Sequence, residues 1–256
     1  MRSILCVMIV LGAVYANPAG SPYRLDWSAD LALAGACLGL NATGSLVAGD
    51  DAPAWNGVPL DPSGVPFFDR WAMSRYSREL DDAGTVVQLA AMAVPAALAF
   101  TDKGEWLTVG VMYAQSVLLT GGLKNTLKGL FDRNRPYMYA EDPPLEHIED
   151  GDWLNSFPSG HTAYAFNGAV FTSVVFSEYF PDSPWRVPVM AGSLGAAVAT
   201  GVLRVESGCH FFSDVLAGAV LGSLTGYLVP EIHRNHCSSG VSVTPIPSGG
   251  MVTINF

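Results

Sequence analysis

Three short clusters hold the side chains of this chain best suited to chemistry. Lys128 and Arg135-Pro136 frame the first, Pro158-Ser159-Gly160-His161 is the second, and the third runs from Arg204 through His210 to Asp214. Lys128 and Arg135 follow an uncharged stretch, Trp106 to Leu123, and Pro136 predicts a helix stop. Cations at a helix end also complement its dipole or anchor a membrane helix at the interface, and that reading suffices for Lys128 alone. The turn residues before His161 open an apolar segment, where free backbone N–H groups suit an anion. Taken alone, Ser159 reads first as an N-cap. His210 and Asp214 are four apart and share a face if they are helical. A carboxylate holding one imidazole nitrogen leaves the other as base or nucleophile. The same pair equally suits a structural hydrogen bond or half of a metal site. The fork of Arg204 matches phosphate oxygens.

Taken together, the clusters converge on one task. Three cations and a helix start can surround a phosphoryl group, one histidine can attack it, and another can protonate the leaving oxygen. Phosphoryl transfer needs mainly positioning and charge stabilisation, and this inventory supplies both.

The order and spacing, K-x6-R-P, then P-S-G-H, then R-x5-H-x3-D, resemble the three-part signature of the type-2 phosphatidic acid phosphatase superfamily. That superfamily includes membrane lipid phosphatases, soluble periplasmic class A acid phosphatases and vanadium haloperoxidases. The resemblance runs from Lys128 to Asp214, and the helical pattern extends it from about Thr85 to His233. It implies that His210 is a nucleophile forming a phosphohistidine, that Asp214 orients and charge-stabilises it, and that His161 is the general acid. It also implies that Lys128, Arg135, Arg204, Ser159 and the Gly160 backbone hold the phosphate oxygens, with no metal or other cofactor. One departure is Leu203, where the family usually has Ser; a hydrogen bond to the site is lost there.

The elements that must position these residues are apolar and long. Thr85–Phe100 and Trp106–Leu123 carry no charge, and His161–Phe180, Val187–Leu203 and Val215–Val229 are similar apart from Glu178. Asp30–Gly49 is more weakly apolar. Phe67–Leu80 has an amphipathic pattern predicting a surface helix. Asp50–Pro66 reads as loop, and the tail Val241–Phe256 alternates like a strand around Pro and Gly. The expected fold is all-α, a bundle of about six long helices integral to a membrane. The expected divisions are a signal peptide (1–16), an N-terminal helix, loop and amphipathic helix (17–84), a catalytic helical core (85–232) and a tail (233–256).

Composition agrees with a membrane setting. Half of the 256 residues are hydrophobic and only 14% are charged, against about 25% in soluble domains. The net charge of −10 leaves no basic patch for nucleic acid. Met1-Arg2, the apolar run Ile4–Val14 and Val14-Tyr15-Ala16 read as a cleaved secretory signal. The cysteines Cys37, Cys209 and Cys237 that would remain form no disulfide framework, and Cys209 reads as a small packing residue.

If the signal is cleaved and Asp30–Gly49 does not cross, all three clusters meet on the export side; if that segment does cross, they meet in the cytosol. In the first case Lys103, Arg186 and His233-Arg234 fall inside, as the positive-inside rule asks. The expected location is a bacterial inner membrane with the site facing the periplasm, or else a soluble periplasmic protein. The expected substrate is a phosphorylated lipid (undecaprenyl pyrophosphate, phosphatidate, phosphatidylglycerol phosphate or lipid A) or a small phosphoester. A vanadate-dependent haloperoxidase and a non-catalytic scaffold are the competing functions. His147, His233 and His236 read as solvated, Glu141–Asp152 as a solvated loop, and Tyr137, Tyr139 and Trp153 as candidates for a lipid or leaving-group pocket. Lys124 fits no motif register.

Overall fold

The structure, a computed structural model, describes residues 20–47, 55–235, 241–246 and 249–254. The proposed signal 1–16, Cys237 and His236 lie outside the described residues. Six long helices and one short one make up the bundle: α1 (Trp27–Val47), α2 (Arg78–Ala93), α3 (Trp106–Leu130), the short α4 (Leu145–Glu149), α5 (Gly160–Tyr179), α6 (Arg186–Glu206) and α7 (Phe212–His233). The all-helical expectation holds. After the bundle the tail pairs as an antiparallel hairpin, β1 (Val241–Ile246) with β2 (Gly249–Ile254).

Large apolar side chains face outward and small or polar ones face in. On α7, Leu216, Val220, Leu224 and Leu228 recur every fourth residue and are exposed. On the inner face of the same helix, Gly218, Gly222 and Gly226 recur at the same interval. A Cβ on these glycines would meet the backbone oxygens of Ser159, Ala163 and Asn167 on or just before α5, at 2.4, 2.0 and 2.6 Å. The two backbones therefore touch over two helical turns, as small-residue stripes allow within lipid. Below that contact Asn167 donates to Ser116 Oγ at 2.6 Å and Thr225 Oγ1 at 3.0 Å, and Thr225 Oγ1 lies 2.7 Å from Thr120 Oγ1. This buried hydroxyl–amide cluster bonds α3, α5 and α7 where dispersion alone would leave them unspecified.

By length and composition, Arg78–Phe100, Lys103–Leu130, Arg186–Glu206 and Phe212–His233 can each cross a membrane. The first includes the 3₁₀ extension of α2, Val94–Phe100. Val86, Leu89, Leu107, Leu118, Val198 and Val202 add to the exposed apolar belt. Water would make that surface costly, whereas lipid requires it. α5 differs because it is the axis of the bundle. Ten of its residues, including Asn167 and Thr172, are buried among the other helices, so it does not need to be apolar all round.

The sequence expectations need three corrections here. Phe67–Leu80 is not an amphipathic helix. Asp69 is drawn inward to Arg133 and Ser213, a 3₁₀ turn covers only Arg70–Ala72, and Ser77 caps the start of α2 by accepting from the Leu80 N–H. α1 runs the full length of the bundle. Its start lies beside the end of α7, where Arg24 N–H donates to His233 O at 2.9 Å, and its other end meets α3 at Asn125, against Gly44. His233 is not solvated. It is buried, with Nε2 2.8 Å from Asp30 Oδ1, and Gln115 donates to the same oxygen.

The glycine contact gives a direct test. Gly222→Ala should lower the detergent melting temperature by several degrees, a destabilisation of about 1–3 kcal/mol. Gly195→Ala, whose Cβ would meet open space, should leave the melt unchanged.

Candidate active site

The fold alternates direction so that the three clusters meet at one end. α3 arrives there, α5 leaves from it, α6 arrives and α7 leaves. Cross-links between the intervening loops fix the end itself. Arg133 and Asn155 pair backbone to backbone, Tyr137 N–H donates to Gly208 O, and Ser77 N–H donates to Ser207 O.

A cavity of about 390 Å³ opens between these segments. It is lined by Lys128, Arg135, Gly160, His161, Arg204 and His210 from the three clusters, together with Asp81, Lys124, His147 and Asp152. Four cations against two carboxylates make this wall positive on a protein of net charge −10, which is how an acidic chain can hold a phosphate.

Three of the four cations are each aimed by a fixed partner. Lys128, in the last turn of α3, donates to Asn155 O at 2.7 Å. Arg135 is almost fully buried. It donates through Nε to Asp152 O at 3.0 Å and through NH2 to Asp152 Oδ1 at 2.8 Å. Burial alone would raise the Asp152 carboxyl, but Arg135 and Lys128 outweigh it and hold it below its ordinary range. Arg204 is held by the carboxylate of Asp81 on α2. Gly84, one turn along, gives α2 room to pass the Arg204 side chain, since a Cβ there would lie 3.3 Å from Arg204 Cδ. Leu203 packs at the same α2–α6 contact, with its Cβ 3.4 Å from that position.

His210 is buried, and its environment selects its tautomer. Nδ1 lies 2.8 Å from Ser156 O. A carbonyl only accepts, so Nδ1 carries the hydrogen and Nε2 keeps its lone pair. Nε2 faces Arg135 NH1 at 3.4 Å. Burial first, and then the charges of Arg135, Arg204 and Lys128, push the imidazole well below its ordinary 6.5. It therefore stays neutral through the physiological range. His161, in the first turn of α5, has Nε2 3.2 Å from Thr85 Oγ1.

Two of these residues are placed differently from what the spacing suggested. His210 precedes α7 instead of sharing a helical face with Asp214, and Asp214 Oδ2 stands 3.9 Å from Nδ1, beyond hydrogen-bond reach. The carboxylate instead accepts from Ser156 Oγ at 2.6 Å and Phe211 N–H at 2.9 Å, and it pairs with Arg133. It positions His210 through Ser156, whose carbonyl holds the ring. Ser159 is the N-cap of α5, with Oγ on Thr162, and its N–H donates to Asp214 O. Its side chain is buried behind the cavity. Only Gly160 and His161 of that turn line the cavity.

Other residues at or around the cavity were set aside or missed in the sequence. Lys124 lines the cavity, and its spacing of four before Lys128 was the available signal. His147, expected to be solvated, packs against Tyr76 and Tyr137 and lines the same cavity. Tyr137 is buried there, whereas Trp153 packs beneath it and Tyr139 packs on Phe211. Arg133 joins Asp69 to Asp214 and lies 4.6 Å over the Phe211 ring. Asp69 and Asp81 had no sequence signal, because their partners lie 64 and 123 residues away. Among the described residues, no group of three His, Cys, Asp or Glu side chains is placed to hold a metal ion.

A family model described as the PAP2 superfamily matches residues 108–237, just over half of the chain. The chain belongs to the PAP2 superfamily. Among its curated relatives, a lipid A 1-phosphatase of Porphyromonas gingivalis is 35% identical over 156 residues, covering 60% of this chain and 30% of that protein. Phosphatidylglycerophosphatase B of Bacillus subtilis is 34% identical over 110 residues, 42% and 49% of the two chains. This PAP2 chain thus spans between about a third and a half of the length of the curated relatives it matches. A crystal structure of a transmembrane PAP2 type phosphatidylglycerolphosphate phosphatase from Bacillus subtilis superposes with a TM-score of 0.51 at 24% identity, over 79% of this chain and 94% of that one. At that identity the likeness establishes the fold.

The tautomer is testable by nitrogen NMR on histidine-labelled protein in detergent, with His210 assigned by its loss in His210→Gln. A depressed pKa keeps the neutral form below pH 6.5. At pH 6 the His210 signals should show a protonated Nδ1 and a bare Nε2. A doubly protonated ring at that pH would contradict the assignment.

Proposed function

We propose that the chain is a metal-independent phosphatase for a phosphorylated lipid, acting through a phosphohistidine on His210. One observation carries this reading. The bare Nε2 of His210 lies in a cavity walled by Lys128, Arg135 and Arg204. Those cations and the N–H groups at the start of α5 would hold the non-bridging oxygens, with Nε2 in line with the phosphorus. Attack forms the N–P bond and breaks the bond to the leaving oxygen, to which His161 supplies a proton. The ring becomes cationic while Nδ1–H stays on Ser156 O, and the Asp214 carboxylate 3.9 Å away stabilises that charge. Water, losing its proton to His161, then attacks phosphorus. Inorganic phosphate leaves and neutral His210 returns.

A lipid substrate is favoured over a soluble one by the exposed apolar belt, which holds the bundle in the membrane and the cavity near the interface. The relatives named above are phosphatases of lipid phosphates, which supports the same reading. In purified protein with EDTA present, phosphate release from phosphatidate or a lipid diphosphate should persist. It should fall by about four orders of magnitude or more in His210→Ala and by about 10²–10⁴ in His161→Ala. Activity unchanged in His210→Ala would remove the nucleophile assignment.

We also place the cavity on the exported face, and the length of α1 changes what that requires. Because α1 runs from the far end to the site end, an exported site puts the start of α1 in the cytosol. A cleaved secretory signal would put it outside, so the two sequence expectations exclude one another if α1 crosses. In intact bacterial cells, a membrane-impermeant maleimide should label Glu141→Cys, at the site end, and spare Asp182→Cys, at the far end. The reverse pattern would place the site in the cytosol.

A further inference from the structure

Asp69 is fully buried, although its neighbours Phe67, Phe68 and Trp71 are exposed. The turn that carries it is pressed onto the site end of the bundle. Val65 and Ala72, on either side of it, pack with Val205 and Phe211. The Arg70 side chain closes the turn by donating to Val65 O at 2.9 Å and Ser63 O at 3.1 Å. Asp69 thereby reaches two groups beside His210. It accepts from Arg133 NH2 at 2.7 Å, and from the backbone N–H and Oγ of Ser213 at 3.0 and 2.6 Å. Phe211, at the N-cap of α7, has no side-chain acceptor for the N–H groups of the first turn. Asp69 supplies one from 144 residues away. The other arm of the Arg133 fork pairs with Asp214 and donates to Ser213 Oγ at 2.7 Å. Asp69, Arg133 and Ser213 all lie outside the cavity lining.

We propose that Asp69 is a positioning residue for the phosphatase reaction, acting through Arg133 and the first turn of α7 to hold Asp214 beside the His210 ring. The role goes beyond the phosphatase reading above and rests on it. Asp69 comes from the segment before α2, outside residues 108–237 that the family model matches, so the reacting histidine depends on a part of the chain that the three motifs do not include. One consequence is positional. A guanidinium bonded to a single carboxylate can swing about it, whereas Arg133 is clamped between two, with the Phe211 ring 4.6 Å away. The other consequence is electrostatic. Two carboxylates against one guanidinium leave this trio with one net negative charge. Without Asp69, Arg133 would cancel Asp214, and the imidazolium formed when Nε2 bonds to phosphorus would face a neutral pair. With Asp69 in place, that cation faces net negative charge.

The test measures kcat, KM, the Ki of inorganic phosphate and the melting temperature of purified full-length protein in detergent, with phosphatidate as the probe. Asp69→Asn should lower kcat by about tenfold or more. KM and the phosphate Ki should stay within about twofold of wild type, because the residue touches neither ligand. Arg133→Gln should behave alike, and the double variant should lose no more than about threefold beyond the worse single, since both act through one link. Wild-type kcat in Asp69→Asn would overturn the proposal. So would a fall in kcat accompanied by a raised phosphate Ki, which marks general loosening of the site, or losses that multiply in the double variant. If Asp69→Asn does not fold, Asp69→Glu decides the matter. It keeps the charge but displaces Arg133, so kcat should still fall with the phosphate Ki kept, and wild-type kcat there would overturn the proposal. If the wild type releases phosphate from neither phosphatidate nor any other phosphorylated lipid, the phosphatase reading itself fails and this role falls with it.

Discussion

The carboxylate of Asp214 accepts from Ser156 Oγ and the Phe211 N–H and is paired with Arg133, while its backbone oxygen accepts from Ser159 N–H. Those four contacts come from all three motif regions, and the geometry of the cavity hangs on them. Ser156 O sets the tautomer of His210, Ser159 caps the helix that presents Gly160 and His161, and Arg133 lies two residues from Arg135. A fully buried carboxylate is tolerable only when it is paired and hydrogen-bonded, and removing a partner from such a pair costs about 3–5 kcal/mol. The same requirement that stabilises Asp214 therefore fixes the distance between loops that are far apart in sequence.

This arrangement works because the bundle beneath it is rigid. The backbones of α5 and α7 touch along the glycine stripe, so the two histidines, one at the start of α5 and one just before α7, cannot drift apart. Lipid supplies no hydrophobic drive for helix association, so close contact and buried polar bonds must do so. Asn167, Ser116, Thr120 and Thr225 supply those bonds. The far end is tied by a separate cluster, Asp30 with His233 and Gln115, which joins the first helix to the last.

The positive wall of the cavity is built from opposed charges. Asp81 and Asp152 orient Arg204 and Arg135 through ion pairs within the protein, which limits the reorganisation that a phosphate would demand. Local pairing of this kind also explains how a chain of net charge −10 presents a positive wall.

The sequence by itself determined the helices, the three motif clusters and the inventory of the cradle. Uncharged apolar stretches and the fixed spacings K-x6-R-P, P-S-G-H and R-x5-H-x3-D are local properties of the chain. Lys124 was also legible, as a residue one turn from Lys128, but nothing in one dimension says which of two neighbouring cations faces a cavity. Tertiary structure alone decided the rest. Asp69 and Asp81 find partners across long stretches of chain, His233 is buried by α1, and Phe67–Leu80 gives up its helical pattern so that Asp69 can reach Arg133. Ser159 and Asp214 fall behind the cavity, because the first turn of α5 and the turn before α7 place them there. Their residue types announce phosphate chemistry, but whether a side chain touches the substrate or holds the residue that does depends on which way each backbone turns, and only packing fixes that.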